Sequence, residues 1–304
     1  MMLFISHTDC ELHDMGTDHP ESPLRIDAIT KAIKGSAIND RIKFLEAPLV
    51  NKDHLYRVHD KDYVDAVFEN APDEGILRLD PDTSMNPHSL NAARRAAGAV
   101  IHAVDLVLAT SSERAFCCVR PPGHHAERDQ AMGFCIFNNI AAGAAHALNT
   151  HGLSRVAIVD FDVHHGNGTE DIFQDNPAVM LCSSFQHPFY PHSGATTELQ
   201  HIINLPLPSG TDGHAYRNAV EMKFIPALED FKPELVMFSA GFDAHKNDPL
   251  AGLMLVEEDY RWITEKVIEI ANQSADGRII SVLEGGYDLA ALGDSALAHI
   301  EAMV

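Results

Sequence analysis

Asp160, Asp162 and His164 stand at every second position, directly after the apolar run Val156-Ala157-Ile158-Val159 and before Gly166 and Gly168. Continued as a strand, that run sends alternate side chains to opposite faces, so the three polar groups project together while Phe161 and Val163 turn into packing. Carboxylates held that close oppose each other's ionisation and destabilise the fold unless a positive charge lies between them. A divalent cation meets the need. An Asp-rich turn would show the same residues without any chemistry, but three other apolar runs end in the same style. Residues 115–119 lead to His124-His125, residues 235–240 to Gly241-Phe242-Asp243-Ala244-His245, and residues 278–283 to Glu284-Gly285-Gly286-Tyr287-Asp288. Together the four tips supply two carboxylates with His164 for a metal, a histidine pair and a tyrosine.

Such tips can meet only if the strands are parallel neighbours, because ligands of open α/β sheets bind at the carboxyl ends of the strands. Helical periodicity over 22–35, 63–68, 89–109, 138–150, 214–231 and 257–275 alternates with these runs and implies right-handed crossovers with helices on both faces. Gly143, Ala144 and Ala145 should let the fourth of these helices pack closely, and Trp262 in the last should join the core. Further short apolar runs at 3–6, 42–45, 179–184 and 202–205 bring the expected parallel sheet to about eight strands.

The chain has 304 residues and is 45% hydrophobic, enough for two domains, yet no linker, repeat or low-complexity tract divides it. One domain over 1–304 is expected. Lys and Arg number 22 against 44 Asp and Glu, a formal charge of -22 that repels phosphate backbones and argues against nucleic acid. It could draw cationic substrates or simply keep the protein soluble. The five cysteines, Cys10, Cys117, Cys118, Cys135 and Cys182, form no Cys-x-x-Cys and read as half-buried thiols of a reducing compartment. Residues 1–6 lack the basic start of a signal peptide and no run spans a membrane, so a cytoplasmic protein is expected, free of membrane. Among the 19 histidines, His7, His13, His54, His59, His102, His146, His151, His201 and His214 belong to no motif and read as solvated or core residues. His187 and His192 adjoin the aromatic cluster Phe185, Phe189 and Tyr190 and could line a mouth.

The chain resembles the zinc-dependent histone deacetylase family, closest to its class II-like and bacterial members. The likeness runs from His19-Pro20-Glu21-Ser22-Pro23-Leu24-Arg25 through Arg120-Pro121-Pro122-Gly123-His124-His125-Ala126, Gly133-Phe134-Cys135 and the Asp160 and Asp243 motifs to Glu284-Gly285-Gly286-Tyr287-Asp288. It implies the arginase/deacetylase fold, with zinc, or iron(II), held by Asp162, His164 and Asp243. His124 would be an electrostatic partner held by Asp160, and His125 a general base held by Asn167. Asn167, where class I members have Asp, carries part of the class II-like label. Tyr287 would donate to the developing oxyanion and an imidazolium of the pair would protonate the leaving amine. Phe134 and Tyr190 would flank a tunnel for an aliphatic chain, with Gly133 on the substrate amide. Leu250 follows Asp248-Pro249, where polyamine-selective relatives have an acid, and Asp82 stands near a rim acid. Arg25 would serve an internal cavity, unless it is a surface residue. Asp160, Asp162, His164, Ser183 and Ser184 would surround a structural potassium ion.

The implied reaction is removal of an acetyl or other acyl group from the ε-amino group of lysine. An acetylpolyamine amidohydrolase is the rival within the fold, and a non-catalytic acyl-lysine reader the rival outside enzymes. A two-metal ureohydrolase would need ligands where Phe161 and Val163 stand. Oligomeric state is open.

Overall fold

A computed structural model describes residues 1–17, 19–109 and 114–304. The main sheet is built from β1 (Met2–Ser6), β2 (Ile42–Glu46), β5 (Arg114–Cys117), β6 (Val156–Asp160), β7 (Val179–Gln186), β8 (Ile202–Leu207), β9 (Leu235–Ala240) and β10 (Ile279–Leu283). The remaining strands, β3 (Leu77–Arg78) and β4 (Ser84–Met85), form a small antiparallel hairpin that the sequence did not suggest.

The eight strands lie in the order β2-β1-β5-β10-β9-β6-β7-β8, and every adjacent pair is parallel. β9 and β10, last along the chain, insert between β5 and β6. The chain thus leaves the middle of the sheet in both directions, and at such a reversal the loops diverge to open a crevice above the strand ends. β5, β10, β9 and β6, whose tips carry the chemistry-bearing residues, are consecutive neighbours at that place.

Strand β9 shows how both faces are covered. Met237 packs towards Gly143 in the helix Asn139–His151, while Phe238 meets His299 of the helix Leu289–Met303 at 5.2 Å between rings. Successive side chains therefore enter two different helical layers. This is why the central strands read as unbroken apolar runs rather than alternating ones: β6, β9 and β10 are buried at every residue. Edge strand β2, by contrast, exposes Lys43, Phe44 and Glu46. The expected helices lie at Leu24–Lys34, Lys61–Glu69, Ser89–Ala109, Asn139–His151, Gly213–Phe231 and Glu257–Ser274. The helices Asn167–Phe173 and Leu289–Met303 were not foreseen.

Two packing expectations need correction. Trp262 packs against the core but is only half-buried, with the Arg217 guanidinium over its ring. All five cysteines are fully buried and free, not half-buried.

Candidate active site

Strand β6 ends at Asp160, so strand alternation does not bring the acidic cluster together. Two consecutive side-chain turns do. Asp160 Oδ1 accepts from Asp162 N at 3.1 Å, and Asp162 Oδ1 accepts from His164 N at 2.9 Å, winding the loop back over the strand tip. The β9 tip adds Asp243, whose Oδ1 accepts from Val163 N at 2.9 Å, and the β10 tip adds Gly285, whose N–H donates to Asp162 Oδ2 at 2.8 Å. A Cβ on Gly285 would fall 2.0 Å from Asp243 Oδ2, so only glycine leaves room for both carboxylates.

His164 Nδ1 lies 3.0 Å from Asp162 Oδ1 and 3.2 Å from Asp243 Oδ2. The three donor atoms sit within 4.8 Å of one another, and Asp243 Oδ2 is buried with no hydrogen-bond partner among the described residues. Burial and the Asp162 charge push the Asp243 carboxyl up to about 7. Burial works against the His164 imidazolium, yet the Asp162 and Asp243 carboxylates beside it raise its pKa to about 10. Both shifts express one demand, for positive charge between the carboxylates, and an orphaned buried carboxylate oxygen beside an imidazole fits a divalent ion.

The histidine pair sits on the loop after β5, with rings 4.1 Å apart. His124 Nδ1 is 2.9 Å from Asp160 Oδ2. Burial disfavours its charge, but Asp160 and Asp162 outweigh that and lift its pKa to about 10. His125 goes the other way: burial and the neighbouring His124 and His164 charges hold it well below its usual value. Its Nδ1 is 2.7 Å from Asn167 Oδ1, while Asn167 Nδ2 donates to Glu127 Oε1 at 2.6 Å. Glu127 thus fixes the amide, the amide oxygen accepts a hydrogen bond from Nδ1–H, and Nε2 keeps its lone pair.

Above these groups a cavity of about 110 Å³ is lined by Asp82, His125, Gly133, Phe134, His164, Tyr190, Leu250 and Tyr287. That is well under the roughly 300 Å³ at which pockets begin to take drug-sized ligands, and it suits a narrow chain. One wall is the turn Met132–Cys135, in which Gly133 and Phe134 both have positive φ, 56° and 69°. Asp82 Oδ1 accepts from Gly133 N and Thr83 Oγ1 from Phe134 N, each at 3.0 Å, so the loop between β3 and β4 clamps this unfavourable backbone. A Cβ on Gly133 would meet His125 Cδ2 at 2.3 Å.

Tyr287 faces Phe134 edge-on at 6.0 Å, and Arg25 lies over its ring at 5.1 Å. Its backbone N–H donates to Asp248 Oδ2 at 2.7 Å. Burial, then the Asp243 charge, keep its phenol far above the ordinary range, hence protonated. Arg25 is not a surface residue: it is wholly buried, donating to the carbonyls of Gly286 and Glu284 and to Glu21.

The structure thus gathers His124, His125, Asp160, Asn167, Asp162, His164, Asp243, Tyr287, Gly133, Phe134, Tyr190, Leu250 and Asp82 at one place. Ser183 and Ser184 lie underneath: Ser183 Oγ pairs with His165 Nδ1 at 2.9 Å, and Ser184 Oγ is 3.4 Å from the Asp160 carbonyl. Phe185 does not join the wall but packs on His165, while Phe189 stacks on His164. His187 and His192 do not line the cavity. Residues with no assigned role in the sequence reading also belong here. Glu284 accepts from the backbone N–H of Gly123 and His124 at 2.7 and 3.1 Å, and Glu21 is clasped by Arg25 and Arg120. Both stand inside the quoted motifs, the only available signal.

Residues 19–303 match the family model described as the histone deacetylase domain. The chain belongs to the histone deacetylase family. It is 38% identical over 290 residues to the histone deacetylase-like amidohydrolase of Pseudomonas aeruginosa, covering 93% of this chain and 76% of that one. It is 35% identical to histone deacetylase 14, chloroplastic, of Arabidopsis thaliana, covering 94% of this chain and 73% of the relative. The crystal structure of the HDA15 HD domain superposes with a TM-score of 0.93 at 32% identity, over 99% of this chain and 89% of that one. The molecule is a deacetylase-family hydrolase, and its eight-stranded parallel sheet is the arginase/deacetylase fold. Among the described residues no helix is long and apolar enough to cross a membrane.

Proposed function

We propose that residues 1–304 form one catalytic domain that removes an acetyl or other acyl group from the ε-amino group of lysine. The observation that carries this reading is the convergence of Asp162, His164 and Asp243, with Asp243 Oδ2 left unpartnered, at the base of a narrow cavity flanked by His125 and Tyr287. Those three residues would hold zinc, or iron(II), which when bound supplies a Lewis acid and a water acidified towards neutral pH. The backbone around Asp160, Asp162 and His164, with Ser183 and Ser184, would hold a potassium ion.

The chain's own groups then divide the work. Gly133, Phe134, Tyr190 and Leu250 line a path that admits an extended aliphatic chain and excludes bulk water. His125, neutral and unprotonated at Nε2, takes the proton of the attacking water. His124, kept cationic by Asp160, steadies the charge that forms and can return a proton to the leaving amine, which with a lysine-like pKa of about 10.4 departs poorly as an anion. The Tyr287 O–H donates to the carbonyl oxygen as it gains negative charge. Leu250 beside the mouth, rather than an acid, favours acyl-lysine over an acylated polyamine. Five buried free thiols suit a reducing compartment.

The test is turnover of acetyl-lysine peptides, longer acyl-lysine peptides and acetylated polyamines by Zn2+-loaded protein beside Tyr287→Phe and Asp162→Asn. Peptide hydrolysis that falls by roughly 10²–10³ in Tyr287→Phe, with substrate still bound, is expected. Preferred hydrolysis of polyamines would move the substrate to the rival class. Tight Zn2+ binding without turnover of any amide would favour the reader.

A further inference from the structure

The helix Asn139–His151 starts beside the active-site loop and ends about 18 Å away, at 1.5 Å per residue, at the amino-terminal end of the strands, where β6 begins. Near that far end two of its histidines meet a carboxylate of the neighbouring helix Ser89–Ala109. His146 Nε2 lies 2.7 Å and His151 Nε2 2.8 Å from Asp105 Oδ1, and the three donor atoms fall within 4.8 Å of one another. A third imidazole, His54 of the short helix Lys52–Leu55, has its ring 5.4 Å from that of His146. Its Nδ1 is buried with no hydrogen-bond partner among the described residues.

We propose that Asp105, His146 and His151 form a second binding site for a divalent transition metal of the zinc type, with His54 as a further imidazole beside it. One carboxylate and two or three imidazoles are the donors such ions select, and no acid outside Asp105 is needed. Without an ion, Asp105 Oδ1 accepts both Nε2–H groups. With one, each Nε2 gives its lone pair and its proton moves to Nδ1. On His146 an acceptor already waits there, since Thr150 Oγ1 is 3.1 Å from Nδ1. Thr150 Oγ1 would then accept from Nδ1–H, the second bond that holds a ligating imidazole. Arg57 Nη1, which can only donate, lies 3.3 Å from the same Nδ1 and 3.1 Å from Thr150 Oγ1; in the metal-free protein it favours a lone pair on Nδ1, and on metal binding that contact gives way while the Nε2 face stays open.

Accessibility is graded to match. The side chain of His146 is 5% exposed, that of His151 28% and that of Asp105 48%, so an ion enters from solvent and water completes its shell. The ion would tie together two helices that cover one face of the sheet, far from the reacting groups. Its role is cohesion of that layer rather than catalysis.

Zn2+ alone is the probe. After loading and gel filtration in metal-free buffer, the wild type should carry two equivalents, Asp162→Asn one, His151→Gln one, and the double variant none. In the Asp162→Asn background, added Zn2+ should raise the melting temperature. His151→Gln, at a partly exposed position, should abolish that rise while leaving the metal-free melt in place. Loss of all Zn2+ from Asp162→Asn, or an equivalent that persists there after His151→Gln or Asp105→Asn is added, would overturn the proposal. Turnover by His151→Gln should match the wild type whatever the substrate class.

Discussion

At the residue scale, the function of His125 rests on an atom two bonds removed from it in hydrogen-bonding terms. Asn167 presents its oxygen to His125 Nδ1 because Glu127 Oε1, the stronger of two acceptors, occupies its NH2 group. Replacing Glu127 by Gln allows the amide to flip and present N–H to the imidazole, which would force the lone pair onto Nδ1 and the proton onto Nε2, the wrong tautomer for a base. Glu127→Gln should therefore lower kcat at least tenfold with little change in KM, and flatten the lower limb of the pH profile. An unchanged kcat would mean that the Asn167 amide is held by its other contact, Met132. Glu127 was not legible in the sequence, because nothing local distinguishes it from any acid near a turn. Asn167 was, through the resemblance of the Asp160 motif to the family's.

At the scale of elements, the start of the helix Asn139–His151 is a junction. Asn138 Oδ1 caps it by accepting from Ala141 N at 3.0 Å, while Nδ2 donates to the Ala126 carbonyl and to Thr169 Oγ1, each at 3.2 Å. One buried amide thus joins the helix to the histidine-pair loop and to the helix Asn167–Phe173, which carries Asn167. Loss of a cap costs about 1 kcal/mol, and leaving the buried carbonyl without its donor adds about 1–3 kcal/mol. Asn138→Ala should lower stability by roughly 2–4 kcal/mol in urea unfolding and reduce turnover by loosening His125. Asn138→Asp should restore the cap but not the two donated bonds, and so recover part of the stability only. The long helices other than Leu289–Met303 were readable because their periodicity runs over many residues. The helix Asn167–Phe173 and the β3–β4 hairpin were not, since each is too short for a periodic signal and exists by virtue of what it packs against.

At the scale of the whole molecule, acid sensitivity follows from histidines buried in neutral form. His59 donates from Nδ1 to the Glu127 carbonyl and accepts at Nε2 from Asn138 N, so it has no place for a second proton. His299 is enclosed among Phe116, Phe161, Phe238 and Phe242, bonded to Thr264 and Ser281. Burial lowers the first to about 4 and the second to about 3. Because these folded values lie below the unfolded value of about 6.5, stability is complete above pH 6.5 and declines as pH falls, when only the unfolded chain takes up the protons. Each histidine contributes a slope of about 1.4 kcal/mol per pH unit over that window. Urea unfolding from pH 7.5 to 4.5 should show this decline, and His299→Gln should reduce the slope by about one proton. A slope indifferent to His299→Gln would assign acid unfolding to other groups.

The sequence by itself determined which side chains can do chemistry and that each follows an apolar strand, because a donor's identity and the alternation of apolar runs are local properties. It also carried the family, through motifs in a recognisable order. It did not determine how the groups meet. The placing of β9 and β10 between β5 and β6 is a matter of long-range packing, and it alone makes the four tips neighbours. The convergence of Asp160, Asp162 and His164 came from side-chain turns beyond the strand end, not from the strand itself. The same holds for the grouping of Asp105 with His146 and His151: those residues are 41 and 46 positions apart along the chain, and only the packing of two helices brings them within bonding distance.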